Sequence, residues 1–367
     1  MSRLPQNNTI LYVEPPITLL SPFKDKAMWM KWKMWFKGVR RIKANIFLWS
    51  PPVTLPFGNK YRWVNKFNQW WQSLFLNKVI NQMGLQEVIL WTYMPNTGDL
   101  ANLIAKKLLL YDCVDEHSEY TGLIDKAVML NMEKDLLKAC NLVFVTALGL
   151  YETKKEFNPN TYYSPNAANV EHFMQAQLPE TVVPEDIAAI KGPVVGFVGV
   201  IQDWVDLELI YAAATAHPEW SLVLVGPVGV GIDVSKLKEL PNVYFLGRKE
   251  VGQLPGYLKA FDVCLNPFRM NELTRNVSPL KFYEYLASGK PIVTVDMPGI
   301  RDFADIVEVA YRPEEFTCCI EKAIREETPD KRTKRLSRAQ ENSWESRVSF
   351  MEGKILAYVH KQSLQNI

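Results

Sequence analysis

Short apolar, β-branched runs alternate along this chain with longer segments of helical periodicity. Such runs are typical of strands that are buried on both faces of a parallel sheet, and the helices supply the crossovers that parallel strands need. The first half contains TILYV, NIFLW, EVILWTY, KLLLYDC and NLVFVT, and the second half contains PVVGFVG, SLVLVG, VYFLG, VCLNPF and PIVTV. The sequence therefore predicts an α/β protein with two doubly wound parallel sheets.

A segment rich in Pro, Glu and small residues, near residues 174–192, separates the two sets of runs. This composition is typical of a linker, and 367 residues suffice for two domains with proper cores. We expect a Rossmann-like domain over residues 1–176 and a second over residues 177–345. Two such domains would face each other across a cleft lined by the carboxyl ends of their strands, which suits a nucleotide ligand.

Composition excludes several classes of protein. With 48% apolar and 22% charged residues the chain is globular, and a net charge of +2 does not suggest a nucleic-acid partner. The five cysteines include no C-x-x-C, so we expect neither a disulfide framework nor a zinc site, and a cytoplasmic location fits. We also expect neither a signal peptide nor a membrane-spanning segment, because the N-terminus lacks a signal pattern and no apolar run is long enough.

One helix of the second half begins with a pattern that favours anion binding. Ser278 is a candidate N-cap, Pro279 suits the first turn and Gly289 suits the left-handed C-terminal position. A helix N-terminus offers free N–H groups and partial positive charge to a diphosphate. Lys281 would add a full charge there, while Glu284 would accept hydrogen bonds from ribose hydroxyls. The alternative is an ordinary capped helix with solvated charges.

The first strand of the second set is followed by Gly199. No G-x-G-x-x-G occurs there, so the nicotinamide fingerprint is absent and a dehydrogenase is disfavoured. Gly199 can let a ligand approach the backbone, and it can equally serve a tight turn.

Several stretches resemble glycosyltransferase family 4, whose fold is GT-B. The stretch PLKFYEYLASGKPIV resembles the family's C-terminal signature, in which an acidic residue, here Glu284, contacts the ribose of a nucleotide sugar. Motifs across most of residues 85–350 are similar, in order, to bacterial teichuronic-acid-type and exopolysaccharide glycosyltransferases. They are LWTYMPNTGDLANLIAKKLLLYDCVDEHSEY, VTALGLYETKKEFNPNTYYSPNAANVEHF, GFVGVIQDWVDLELI and NPFRMNELTRNVSPLKFYEYLASGKPIV. The resemblance implies a final helix, residues 346–367, that crosses back to the first domain.

The chain departs from the family pattern near this signature. The first acid of the family's E-x7-E pair is replaced by Asn276, and the loop after Gly199 carries acids where the family has Arg and Lys. The positive charge is therefore expected from Arg269, Arg275 and Lys281. The chain contains no convincing D-x-D, so we expect no metal and no cofactor, with the nucleotide sugar as a substrate.

The predicted site draws on both domains. Asp115 follows the strand KLLLYDC, where a residue that positions the acceptor or acts as a base is needed, although it can also cap the next helix. His117 beside it is more often structural. We expect the catalytic residues to be Asp115, Arg269 and Lys281. The expected substrate-binding residues are Gly199, Arg275, Ser278, Pro279, Leu280 and Glu284.

Residues 24–43, KDKAMWMKWKMWFKGVRRIK, have the two faces of an interfacial helix. On a helical wheel one arc carries Met28, Trp29, Trp32, Trp35, Phe36 and Val39, and the opposite arc carries Lys and Arg. This pattern is typical of a helix that lies on an anionic membrane, and equally of a helix packed on its own domain with a solvated basic face.

The sequence therefore predicts an enzyme that transfers a hexose from a nucleoside diphosphate sugar to a glycan or lipid-linked acceptor. We expect retention of configuration, and a cytoplasmic location that residues 24–43 would make peripheral on the inner face of the plasma membrane. Two alternatives stay open. One is a nucleotide-sugar epimerase on the same fold, and the other is a non-catalytic protein that binds a nucleotide sugar.

Overall fold

The computed structural model describes residues 3–119 and 122–365. The chain divides into two compact units. The N-terminal unit comprises Met1–Ser164 and Ile355–Ile367, and the C-terminal unit comprises Pro165–Lys354. Residues 165–176, expected at the end of the first domain, thus belong to the C-terminal unit.

The N-terminal unit contains two sheets. Its strands are β1 (Ile10–Val13), β2 (Arg40–Arg41), β3 (Ile46–Trp49), β4 (Ile89–Thr92), β5 (Leu108–Cys113), β6 (Leu142–Val145) and β7 (Thr161–Tyr163). One sheet has the order β1-β3-β2, with β2 antiparallel to β3, and the other has the parallel order β4-β5-β6-β7. All five predicted strands are confirmed, but they divide between two sheets instead of forming one.

The helices of this unit are short, apart from two. They are α1 (Ser21–Lys24), α2 (Met28–Met34), α3 (Arg62–Gln82), α4 (Gly98–Ala101), α5 (Lys126–Ala139) and α6 (Leu148–Lys154). The helix expected through residues 24–43 is wrong as a continuous element. After α2 comes one 3-10 turn, Trp35–Lys37, then Gly38 at a φ of 63°, and Arg40–Arg41 pair with β3. The left-handed Gly38 ends the helical path, so the aromatic arc does not continue beyond it.

The C-terminal unit contains one parallel sheet. Its strands are β8 (Val194–Val198), β9 (Ser221–Val225), β10 (Val243–Gly247), β11 (Val263–Asn266), β12 (Ile292–Val295) and β13 (Glu308–Ala310). They lie in the order β10-β9-β8-β11-β12-β13, so the direction of the strand order reverses between β8 and β11. Every residue of β8, β9, β11 and β12 is buried, which explains their continuous apolar sequences. The α/β class with parallel sheets is confirmed.

Helices connect these strands. They are α7 (Val170–Met174), α8 (Glu185–Ala188), α9 (Leu207–Ala216), α10 (Ser235–Lys238), α11 (Leu254–Ala260), α12 (Glu272–Arg275), α13 (Leu280–Ser288), α14 (Phe316–Arg325), α15 (Pro329–Glu341) and α16 (Trp344–Gln365). The last helix begins in the C-terminal unit, where the Arg347 side chain donates to the carbonyl of Pro165 at 3.0 Å. Residues from Ile355 onward belong to the N-terminal unit, and there Asn141 Nδ2 donates to the Tyr358 hydroxyl at 3.1 Å.

The five cysteines are all free thiols. Cys113, Cys140 and Cys264 are buried, Cys319 is partly buried and Cys318 is exposed. Burial raises the pKa of Cys140 and of Cys264 to about 12. The buried thiols are therefore poor nucleophiles in the folded protein.

Candidate functional site

The reversal of strand order in the C-terminal unit marks a ligand-binding position. In open parallel sheets, the crevice for a ligand forms at the carboxyl ends of the two strands that flank such a reversal. Here those strands are β8 and β11, and their following loops are tied together. Asp206 donates its backbone N–H to the carbonyl of Pro267 at 2.8 Å, and Arg269 donates its own to the carbonyl of Trp204, also at 2.8 Å.

Helix α13 is anchored beside this crevice. The Tyr285 hydroxyl accepts a hydrogen bond at 2.8 Å from the backbone N–H of Val198, the last residue of β8. Gly289 ends the helix at a φ of 71°, which confirms its predicted left-handed position. At the other end Pro279 is the N-cap, and no side chain caps the helix. Phe282 donates its N–H to the carbonyl of Pro279 at 3.1 Å, and the N–H groups of Leu280 and Lys281 are available to an anion.

The helix that follows β8 has a different N-terminus. Asp206 caps α9, and its carboxylate accepts from the backbone N–H of Glu208 at 3.2 Å. A carboxylate at this position already satisfies a donor that an anionic ligand would use. The electrostatics of the crevice therefore favour an anion at α13 over α9.

The prediction that Ser278 caps α13 is wrong. The helix begins at Leu280, and Pro279 occupies the N-cap with extended backbone angles. Ser278 instead binds Asn166, accepting from its backbone N–H at 3.1 Å and from its Nδ2 at 2.7 Å. This buried serine therefore fixes the entry of the helix to the segment before α7.

Lys281 and Glu284 form an ion pair one turn apart on α13. Their Nζ and Oε2 atoms are 2.7 Å apart. Glu284 is only 8% exposed, and this burial raises the pKa of its carboxyl, while the charges of Lys281 and His172 oppose the rise. Lys281 remains partly exposed. The pair places one accessible cation and one buried acceptor in the first two turns of the helix.

The two arginines of the predicted site lie on the loop after β11 and on α12. Both are exposed, and no hydrogen bond or ion pair joins either guanidinium to a residue that the structure describes. The buried Thr274 shapes this loop, since its Oγ1 donates to the carbonyl of Arg269 at 2.6 Å. Asn276, which replaces the family's first acid, donates from Nδ2 to the carbonyl of Glu272 at 3.1 Å.

Gly199 lies where β8 ends, and it approaches the end of β9 closely. Its N–H donates to the carbonyl of Val225 at 2.9 Å. A Cβ on Gly226, whose φ is 152°, would lie 1.8 Å from the Gly199 carbonyl oxygen. Gly226 therefore allows a contact between strand ends that a side chain at its position would not permit. Leu280, the first residue of α13, is partly exposed.

Asp115 belongs to the N-terminal unit, unlike the other predicted site residues. It is partly buried in the loop after β5. The neighbouring Glu116 forms an ion pair with the buried Lys154, whose Nζ lies 2.8 Å from Glu116 Oε2 and 2.8 Å from Glu133 Oε2. The adjacent His117 imidazole is buried, which lowers its pKa and favours the neutral ring at pH 7.

Three residues near the site were not predicted: Asn166, His172 and Thr274. The stretch SPNAANVEHF, which carries part of the family resemblance, contains the first two. Nothing in the sequence around Thr274 indicates that its hydroxyl would bridge the loop after β11.

Within 3–119 and 122–365, no group of three or more His, Cys, Asp or Glu side chains could hold a metal ion. Over the same ranges, no helix is sufficiently long and apolar to cross a membrane.

A cavity of about 380 Å³ borders Asp262 and Pro291, which precede β11 and β12. It therefore lies at the amino-terminal edge of the sheet, away from the crevice.

Comparisons with known proteins concern the family and the fold. Residues 192–326 match the family described as Glycosyl transferases group 1. A Bacillus subtilis protein named for teichuronic acid biosynthesis, the glycosyltransferase TuaH, is 26% identical over 253 residues. That alignment covers 64% of this chain and 63% of TuaH, so the chain spans less than two thirds of this relative.

Solved structures resemble the whole chain. Sucrose-phosphate synthase of Thermosynechococcus elongatus is 14% identical, with a TM-score of 0.64, over 98% of this chain and 100% of the other. HepE of Anabaena, solved with UDP and glucose, is also 14% identical, with a TM-score of 0.60, over 95% of this chain and 99% of the other. Residues 192–326 thus match the Glycosyl transferases group 1 family, and the chain has the GT-B fold of these solved structures.

Proposed function

We propose that this protein transfers a hexose from a nucleoside diphosphate sugar, with retention of configuration, to a glycan or lipid-linked acceptor. One observation carries the proposal: the N-terminus of α13 has no side-chain cap and lies beside the Lys281–Glu284 pair, within the matched domain. HepE, which shares the fold, was solved with UDP and glucose, and TuaH is named a glycosyltransferase.

The diphosphate of the donor would bind at the N-terminus of α13. Departure of a nucleoside diphosphate leaves negative charge on its phosphate oxygens, and donors already aimed at that position stabilise the transition state. The helix N–H groups, Lys281 and Arg269 would supply this stabilisation, with Arg275 as a further cation. Because four such groups share the charge, we propose that transfer needs no divalent metal.

Glu284 would bind the ribose of the donor. Its carboxylate is buried and has one strong partner, Lys281, so it keeps acceptor capacity for two ribose hydroxyls. A buried acceptor discriminates strongly against a ligand that lacks the matching donor, because the acceptor would then keep unpaired lone pairs away from water. Glu284 would therefore contribute to recognition of a nucleotide.

The acceptor would bind at the N-terminal unit, near Asp115. The loop that carries Asp115 is braced by the buried charges of Lys154 and Glu133, so its backbone is held in place. A carboxylate in such a loop can orient an acceptor hydroxyl or take its proton. Residues 24–43 support a lipid-linked acceptor, because Trp29, Met30 and Phe36 are exposed among exposed lysines, as they would be at an anionic membrane surface.

Incubation with a panel of nucleoside diphosphate sugars tests the proposal. Release of the nucleoside diphosphate, faster with an added acceptor, is the expected result. The anomeric configuration of the product, read by NMR, should match that of the donor, and EDTA should leave the rate unchanged. Formation of an epimer, or binding without turnover, would replace the proposal with an epimerase or a non-catalytic binding protein.

A further inference from the structure

Helix α3 of the N-terminal unit turns polar residues inward and large apolar residues toward solvent, which is the reverse of the usual arrangement. Its buried face is largely polar and includes Asn65, Asn68, Gln69 and Gln72. Its outward side carries four large apolar residues, here named the aromatic face: Trp63 (69% exposed), Phe67 (45%), Trp70 (47%) and Leu74 (49%). Their spacing of four, three and four residues aligns them in one stripe along the helix.

The inward amides explain why α3 takes this orientation. Asn68 donates to the carbonyl of Leu55 at 2.9 Å and accepts from its N–H, also at 2.9 Å. Asn65 donates to the carbonyl of Asn96 and to the Asp99 carboxylate, both at 2.8 Å. These bonds satisfy loop backbone that would otherwise be buried without partners. A half-turn rotation of α3 would lose all of them, so the aromatic face is fixed outward.

The aromatic face continues into the segment that contains α2. Trp71 and Phe75, at the edge of the stripe, are in ring contact at 4.8 Å, and Phe75 contacts Trp35 at 5.3 Å. Trp35 in turn contacts the exposed Phe36 at 4.9 Å. The exposed apolar surface thus extends from one element to the next, and contiguous surfaces of this kind mark interaction sites.

The segments that form this surface carry mainly positive charge, although Arg62 at the start of α3 is neutralised by ion pairs with Asp99 and Asp135. Residues 1–86 contain thirteen lysines and arginines but only two acidic residues, although the whole chain has a net charge of only +2. On α3 itself, the exposed Lys66 and Lys78 flank the stripe, and the helix contains no acidic residue. A second copy of this surface would be repelled by the like charge. A negatively charged partner would be attracted.

We propose that the aromatic face of α3 docks on the surface of an anionic lipid bilayer. Tryptophan side chains favour the headgroup region, where the ring is buried and the indole N–H stays hydrated. Lysines beside them meet the negative potential of anionic lipids. The docking surface is thereby centred on α3, and residues 24–43 form its border. This proposal does not depend on sugar transfer.

Vesicle cosedimentation of the full chain tests the proposal. The wild type should pellet with vesicles of phosphatidylglycerol and phosphatidylcholine, and far less with phosphatidylcholine alone. Trp63→Gln with Trp70→Gln should lower vesicle affinity about tenfold or more at any salt concentration, because the apolar contribution is not screened. Lys66→Gln with Lys78→Gln should lower it only at low salt. Tyr311→Gln with Val182→Gln, exposed positions of the C-terminal unit, is the matched control and should bind like the wild type.

Other outcomes would overturn the proposal. They are a wild type that stays in the supernatant with anionic vesicles, and a tryptophan variant that binds as well as the wild type. A dimer in sedimentation velocity that the tryptophan variant abolishes, without vesicle binding, would assign the face to a second copy. A clearly lowered melting temperature would assign it to internal packing. Nucleotide affinity without vesicles should be equal in all variants, so this test and that of sugar transfer can fail separately.

Discussion

Lys281 is the residue through which the proposed donor site is most directly tested. Lys281→Ala and Arg269→Ala should each weaken binding of UDP or GDP and slow turnover. Each removes a charge-assisted contact to phosphate worth about 1.5–3 kcal/mol, which corresponds to a loss of roughly 10- to 150-fold in affinity. Calorimetric titration measures this loss. Lys236→Ala, an exposed lysine of the same unit, is the control. If both site variants bind the nucleotide with wild-type affinity, the proposed anion site at α13 is wrong.

Glu284→Gln separates ribose recognition from folding. Burial raises the pKa of Glu284 although Lys281 opposes the rise, so burying its charge costs free energy, and a neutral amide of the same shape should not lower stability. Nucleotide affinity should fall by about tenfold or more, because a hydrogen bond to a charged acceptor is lost. Titration with UDP and GDP beside a melting curve measures both effects. Unchanged affinity would show that Glu284 serves the helix alone.

Asp112 in β5 makes the stability of the protein depend on pH. Burial raises the pKa of its carboxyl to about 6, although the Trp91 indole donates to it at 3.2 Å. The folded state thus holds a proton that the unfolded state releases near pH 4, so stability falls as pH rises from about 4 to about 6. Asp112→Asn should abolish this fall and be more stable at pH 7, by up to about 3 kcal/mol. Urea unfolding between pH 4 and 8 measures the difference, which should vanish at the acidic end.

At the scale of elements, α13 depends on α15. The fully buried Arg335 donates from Nη2 to the carbonyl of Gly289 at 3.1 Å and from Nη1 to that of Ile306 at 3.3 Å, and it also pairs with Glu327. Arg335→Leu leaves these acceptors without their donor and should cost about 3–5 kcal/mol. Denaturant unfolding measures the loss. Arg332→Ala, an exposed neighbour on the same helix, should change stability by less than about 1 kcal/mol.

Element types were easier to predict than element faces. All the predicted strands exist because continuous apolar runs have one stable use in an α/β protein, as strands buried on both sides. For α3, by contrast, periodicity reveals two faces but not which one turns inward. The answer depends on loop backbone near Leu55 and Asn96, which comes from distant parts of the sequence.

The ends of helices are also difficult to predict from the local sequence, because they depend on residues that are distant in the chain. The pattern S-P at the start of α13 is compatible with a serine cap, and the competing partner of Ser278 is Asn166, more than a hundred residues earlier. The helical wheel of residues 24–43 failed for a local reason, the left-handed Gly38, and for a distant one, the pairing of Arg40–Arg41 with β3. Contacts between remote segments determined each of these outcomes except the turn at Gly38.

For the whole molecule, the final helix links the stability of the N-terminal unit to the end of the chain. A stop after Lys354 removes Ile355, which is buried, and Tyr358, which binds Asn141. We expect faster hydrogen exchange in the sheet β4-β5-β6-β7 and unchanged exchange in β8 to β13. Leu364→Ser, at an exposed position of the removed segment, should exchange like the full chain. Equal exchange in both sheets of the truncated protein would contradict the assignment of this segment.

Because each unit contains buried cysteines, the rate at which these thiols react can measure local unfolding of each unit separately. Cys113 and Cys140 lie in the N-terminal unit and Cys264 in the C-terminal unit, and all three are shielded from solvent. A maleimide added to the native protein should react first at Cys318, and the other sites should react only as their surroundings open. Mass spectrometry of the labelled peptides over time would therefore give a separate opening rate for each unit, with no engineered probe in the chain.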